Sequence, residues 1–147
     1  IDMSEAKKVI NELLVEVFNH ILSIEGSKLK ERGIKISMNE MHVLEAVKKT
    51  KDPSMSNIAG RLRVTVGTLT TSVNRLVEKG YATRKKDAED KRKVIISLTD
   101  KALNSLRIHD EFHEEMLDAL FSDMNIEEDE VLLQSLKNLS LYFKNKY

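Results

Sequence analysis

A mainly α-helical fold with one small β-hairpin is predicted by three features of this 147-residue sequence. Between residues 54 and 78, two short stretches with helical apolar spacing are joined by only Arg63 and Val64. After Gly80 come two β-prone runs, residues 81–84 and 94–98, bracketing a charged loop. Long amphipathic stretches flank both. Two short helices in tight succession followed by a hairpin form a winged helix-turn-helix, here with N- and C-terminal dimerisation helices attached.

Each element has its own local cause. Residues 7–32 carry Ile10, Leu13, Leu14, Val17, Phe18, Ile21, Leu22 and Ile24, a broad apolar stripe on a helix of about seven turns. Residues 38–49 form a shorter helix: Ser37 caps it, Glu40 three residues on completes a capping box, and Met41, Leu44 and Val47 face the core. Pro53 separates it from a helix capped by Ser54, in which Met55, Ile58, Ala59 and Leu62 follow the i, i+3, i+4, i+7 pattern. Thr65 caps the next, with Val66, Leu69, Val73, Leu76 and Val77 inward and Thr68, Thr71, Ser72 and Arg75 largely on the other face. Gly80 stops that helix as a C′ glycine, and Lys79 complements its negative end. Thr99 caps a long helix to about residue 122. Asn125 caps a last one, whose acidic start over residues 127–130 complements the positive helix end. Leu132, Leu136, Leu139, Tyr142 and Phe143 form its apolar face.

Composition narrows the classes. With 41% hydrophobic residues the chain can bury a core, so one domain over residues 1–147 is expected: a reader region at about 34–98 and dimerisation helices at about 5–32 and 99–147. It has no cysteine, which excludes disulfides and thiolate metal sites and suits a reducing cytoplasm. No apolar run approaches the roughly 20 residues that span a bilayer, and the start lacks a basic-then-apolar signal segment, so no membrane partner is expected. Ile1 and Asp2 precede Met3, and the sequence does not say whether they are native.

The 24 basic and 24 acidic residues cancel, but unevenly along the chain. Residues 1–53 hold nine of each, residues 54–98 ten basic and four acidic, and residues 99–147 five and eleven. A +6 segment coinciding with the helix-turn-helix is the expected face toward double-stranded DNA, and the −6 segment faces away. Charge alone would equally allow two ordinary solvated faces; the coincidence decides between them.

A helix bearing short hydroxyl and amide side chains can enter the major groove. Thr65, Gly67, Thr68, Thr70, Thr71, Asn74 and Arg75 are therefore assigned to that groove and its phosphates, Thr70 and Asn74 nearer the flank, while Ser54 and Ser56 meet the DNA backbone. Lys85, Lys91, Arg92 and Lys93 are wing contacts, with Arg92 the candidate for the narrow, electronegative minor groove. Arg84 and Asp90 are expected to shape the wing through a charge-assisted pair. One arginine in the reading helix implies limited base readout, leaving much of the specificity to DNA shape. Terminal helices with more apolar surface than the reader can cover imply a homodimer, whose two-fold symmetry predicts a pseudo-palindromic operator; a monomeric bundle is the alternative.

The order helix, helix, glycine, strand, Asp-x-Arg loop, strand, helix resembles the MarR family of bacterial transcriptional regulators. The residues that carry this are Leu76-x-x-Lys79-Gly80-Tyr81-x-x-Arg84, Asp90-Lys91-Arg92 and Leu98-Thr99. Ile36-Ser37-x-x-Glu40-Met41-His42, the run from Val64 to Asn74, and His109-x-x-Phe112-His113 are similar to its FabT-type branch, repressors of fatty-acid synthesis genes. The resemblance implies a repressor, not an enzyme, with no catalytic residues and no cofactor. It also implies an effector crevice beside the dimerisation helices, with Phe18, Ile21, Leu22, Met41 and Phe112 as walls, and a long acyl chain on acyl carrier protein as corepressor, or another small-molecule effector.

His109 and His113 stand one helical turn apart, a spacing that can ligate zinc. His109-Asp110 is not the His-Glu of a metalloprotease helix, so hydrolysis is not expected. Zinc-responsive members of the family use histidines at similar places, which makes Glu25, His42, His109 and His113 an alternative metal set. A structural or effector-pocket role is favoured, with no metal. A third reading, from another class, is a helical scaffold or enzyme without specific DNA binding.

Overall fold

The computed structural model describes residues 1–147. Its elements are α1 (Met3–Asn11), a π-helical segment (Glu12–Val17), α2 (Phe18–Glu31), α3 (Met38–Lys49), α4 (Met55–Leu62), α5 (Val66–Glu78), β1 (Ala82–Lys86), β2 (Val94–Leu98), α6 (Asp100–Met124), a 3-10 turn (Ile126–Glu128) and α7 (Glu130–Lys146). The chain forms two compact units, residues 1–109 and 110–147. The division falls inside α6.

In the first unit the N-terminal helix starts at Met3, where the Asp2 carboxylate accepts from Glu5 N at 2.9 Å. It is not uniformly α-helical. Phe18 N–H reaches the Leu13 carbonyl, five residues back. Leu13, Leu14, Val15 and Val17 stand 40–48% exposed, and so, on the α-helical stretches to either side, do Ile10 at 43% and Phe18 at 57%. At the other end, Gly33 in the left-handed region (φ +88°) terminates α2, with Ile34 N–H on the Leu29 carbonyl at 3.0 Å.

The expected capping box opens α3: Glu40 N donates to Ser37 Oγ and Ser37 N to Glu40 Oε1, both at 3.1 Å. Leu29, Met41, Leu44, Ile58, Leu69, Val73, Leu76, Ile96 and Leu106 are fully buried and form the core, with α3 packed on α4, α5 and β2. β1 and β2 pair antiparallel from Ala82 opposite Leu98 to Lys86 opposite Val94. A further edge, unforeseen in the sequence, comes from the segment before α4: Ser54 bridges Ile95, and Ile96 N donates to the Pro53 carbonyl at 2.9 Å.

Lys79 does not serve its own helix end as expected. Its ammonium reaches both oxygens of the buried Glu40 carboxylate at 3.1 Å, and Lys101 instead donates to the Lys79 carbonyl at 2.9 Å while lying over the Tyr81 ring. Burial pushes the Glu40 carboxyl upward, but hydrogen bonds from Ser37 and Lys79 and the Lys79 charge outweigh it, so the group sits below its ordinary value of 4.5. A carboxyl held low in the folded chain stabilises it above its unfolded pKa, and that stability fades as pH falls through the folded one. Glu40→Gln is therefore expected to be less stable than the parent at neutral pH and to approach it near pH 3. Urea titrations at the two pH values check this; a constant gap would deny the charge a role.

The second unit contains the remainder of α6, the 3-10 turn and α7. Asn125 does not cap α7. It adopts the left-handed region (φ 50°) at the end of α6, and the Asp129 carboxylate caps α7 by accepting from Leu132 N at 2.9 Å. Leu132, Leu136, Tyr142 and Phe143 are 38–53% exposed. No helix of the protein is long and apolar enough to cross a membrane.

Candidate nucleic-acid interface

The expected helix-turn-helix is α4 and α5. Ser54 Oγ accepts from Asn57 N at 3.2 Å to cap α4, and Arg63, left-handed at φ 57°, makes the turn. Thr65 Oγ1 accepts from Thr68 N at 3.1 Å and donates to Thr68 Oγ1 at 2.9 Å, opening α5. Leu69, Val73 and Leu76 bury one side of α5, and Gly67, Thr68, Thr71 and Arg75 lie exposed on the other. Val66 was expected inward; on the first turn of α5 it is 45% exposed and lines the cleft described below. Gly80, at φ +83°, closes the helix with Tyr81 N–H on the Leu76 carbonyl at 2.8 Å.

The Arg84–Asp90 pair does not form. Arg84 lies on β1, against which α5 packs, and its guanidinium donates to Asn74 Oδ1, tying the hairpin to the reading helix. Asp90 works within the loop: it accepts from Arg92 N at 3.0 Å and lies 3.6 Å from Arg92 Nε, while Asp90 N donates to Asp87 Oδ2 at 3.3 Å. Loop geometry therefore needs no cation from the strand. Lys85, Lys86, Lys91 and Arg92 are exposed, the Arg92 side chain 96% so. Lys93 pairs with the Asp52 carboxylate.

A cleft of about 720 Å³ is lined by Asp52, Ser54, Met55, Ser56, Asn57, Val66, Thr70, Arg84, Asp90, Arg92, Lys93 and Val94. It gathers seven of the expected residues: Ser54, Ser56, Thr70, Arg84, Asp90, Arg92 and Lys93. Thr65, Gly67, Thr68, Thr71, Asn74, Arg75, Lys85 and Lys91 lie outside its lining. Within it, Ser54 is buried with its hydroxyl engaged in capping, whereas Ser56 is exposed. Thr70 donates to the Val66 carbonyl at 2.8 Å. Asp52 and Asn57 were missed by sequence reasoning; the one local signal was their position around the cap and proline.

The expected crevice walls differ in exposure. Phe18 and Ile21 are 57% and 37% exposed, Leu22 is half-buried and Met41 fully buried, and none lines a cleft of the first unit described here. A second cleft, of about 510 Å³, is lined instead by residues including Leu29, Ile34, Ile36 and Met38. Phe112 belongs to the second unit and is buried.

Of the histidine set, Glu25 and His109 meet: both are buried, with Oε1 and Nε2 2.6 Å apart, and Glu45 Oε1 lies 3.6 Å from the same nitrogen. His42 lines a small cleft with Lys49, Arg61 and Leu62. His113 lies one turn beyond His109 along α6.

Residues 36–94, from the approach to α3 through the wing, match the MarR family. The crystal structure of Streptococcus pneumoniae FabT in complex with DNA is 36% identical, covers 96% of this chain and 99% of that one, and superposes with a TM-score of 0.85. The chain belongs to the MarR family. Within it, this MarR protein lies in the FabT-like branch. Its curated relatives include SarZ of Staphylococcus haemolyticus (strain JCSC1435), 29% identical over 102 residues, and YkoM of Bacillus subtilis (strain 168), 28% identical over 113; both are HTH-type transcriptional regulators. The alignments take in 66% and 77% of this chain and 65% and 72% of those proteins. This MarR protein is a helix-turn-helix transcriptional regulator rather than an enzyme.

Proposed function

We propose that the protein is a homodimeric repressor of fatty-acid synthesis genes that binds a pseudo-palindromic operator and takes acyl-acyl carrier protein as corepressor. The observation that carries this is the 36% identity to DNA-bound FabT across 96% of the chain. The local geometry agrees with it: the exposed face of α5 stands beside a wing whose Lys85, Lys91 and Arg92 are open to solvent. On this reading Thr65, Gly67, Thr68, Thr71 and Arg75 meet the major groove, Ser56 meets backbone phosphate, and Arg92 enters the minor groove. Leu13 and Leu14 in the first unit, and Leu136 and Phe143 in the second, are each partly exposed, and a second copy would cover them. The corepressor rests on the branch resemblance alone.

Selection of bound fragments from genomic DNA, with and without a long-chain acyl-acyl carrier protein, tests the whole reading. The expected result is a two-fold site with half-sites about one DNA turn apart, enriched more strongly with the acylated carrier and lying beside fatty-acid synthesis genes. Enrichment that required added zinc would favour the histidine-based alternative, and no enriched sequence at all would remove the regulator's operator.

A further inference from the structure

The cleft between α4, α5 and the wing holds two carboxylates, Asp90 of the wing loop and, unforeseen in the sequence, Asp52 ahead of α4. Asp52 is set there through its main-chain carbonyl, to which Ser54 N and the Asn57 side-chain Nδ2 donate at 2.8 and 2.9 Å; the same Nδ2 lies 3.5 Å from Asp52 Oδ2, and the following residues Pro53 and Ser54 pair with β2. Its side chain, 54% exposed, reaches across to the ammonium of Lys93, the last cation of the wing loop and itself 34% exposed. The Asp52 hydrogen bond, helped by the charges of Asp87 and Asp90, holds the Lys93 ammonium above its ordinary range. Exposed ion pairs of this kind add little to stability, so folding does not explain the placement. Recognition does: a carboxylate and a DNA phosphate are both anionic oxygen acceptors and compete for the same ammonium.

We infer that Asp52 occupies the phosphate position at Lys93, so that this cation joins the DNA only when phosphate displaces the carboxylate, and that Asp52 thereby limits affinity for DNA. The inference rests on the proposed wing interface and deepens it. A cation already neutralised within the protein contributes less to the release of counterions from DNA. Freed from Asp52, Lys93 regains that contribution.

The test uses the full-length protein and a mixed-sequence duplex of about 40 base pairs, titrated at several salt concentrations. Asp52→Asn should bind about three- to tenfold tighter at about 0.1 M salt, with the slope of log affinity against log salt steeper by about 0.9 per protomer. Placed on Lys93→Met, the same substitution should change affinity less than about twofold. Unchanged or weaker binding by Asp52→Asn, with a thermal melt like the parent's, would overturn the inference, as would equal tightening in the Lys93→Met background. If Lys93→Met alone weakens binding while Asp52→Asn does nothing, only this inference falls. If neither Lys93→Met nor Arg92→Ala alters the salt slope, the wing interface itself falls, and the inference with it.

Discussion

Replacing Leu69 by alanine is expected to destabilise the protein by about 2–5 kcal/mol, the largest single effect on stability foreseen here. Leu69 is 1% exposed and sits on the buried side of α5, which packs on α3, α4 and β1. Truncation removes three carbons from a close-packed site, and the helix that would have to collapse into the gap is tied to β1 through Asn74 and Arg84. The urea midpoint should fall with the slope unchanged, measured at matched protein concentration because association would shift it. Val66→Ala on the exposed first turn of the same helix should move the midpoint by no more than about 0.5 kcal/mol. A Leu69→Ala loss below about 1 kcal/mol would mean that α5 is not anchored by this side chain.

Arg92→Ala should produce the largest loss of DNA affinity among single wing substitutions, about tenfold at low salt, and lower the salt slope by about 0.9 per protomer. Its guanidinium is almost wholly solvated, whereas the bond that shapes the loop tip uses its main-chain amide on Asp90. Alanine keeps that amide, so the wing should hold its form and the thermal melt should not move. A full salt series with an unchanged slope would take the wing tip off the duplex. The contrast with Lys93 is physical: Arg92 is 3.6 Å from a carboxylate in its own loop, while Lys93 is held in a hydrogen-bonded ion pair with Asp52, far away in sequence.

Much of the fold was legible because its causes are local. Ser37, Ser54 and Thr65 accept from amides three residues on, and Gly80 adopts a backbone conformation that costs other residues more. Leu69, Val73 and Leu76 fall on one side of α5 by spacing alone, and all are buried. The same reasoning failed where a local rule had two admissible outcomes. Asn125 is as good a left-handed terminator as it is a cap, and Asp129 was equally able to start α7. The π-helical segment changes the spacing on which the stripe of residues 7–32 was read, and no residue there announces it.

The candidate site was legible as a list of side chains and illegible as a set of pairs. Arg84 was matched to Asp90 because both flank the wing, yet it bonds Asn74, ten residues back on α5. Lys79 finds Glu40 across 39 residues and Lys93 finds Asp52 across 41.

By itself, then, the sequence determined the order and limits of most elements, the buried side of the reading helix and the concentration of positive charge in residues 54–98, because capping, periodicity and composition act within a few residues. Only the tertiary structure decided which cations of that segment are open to solvent and which are already paired, because 24 basic and 24 acidic side chains admit many partners and proximity in space selects among them.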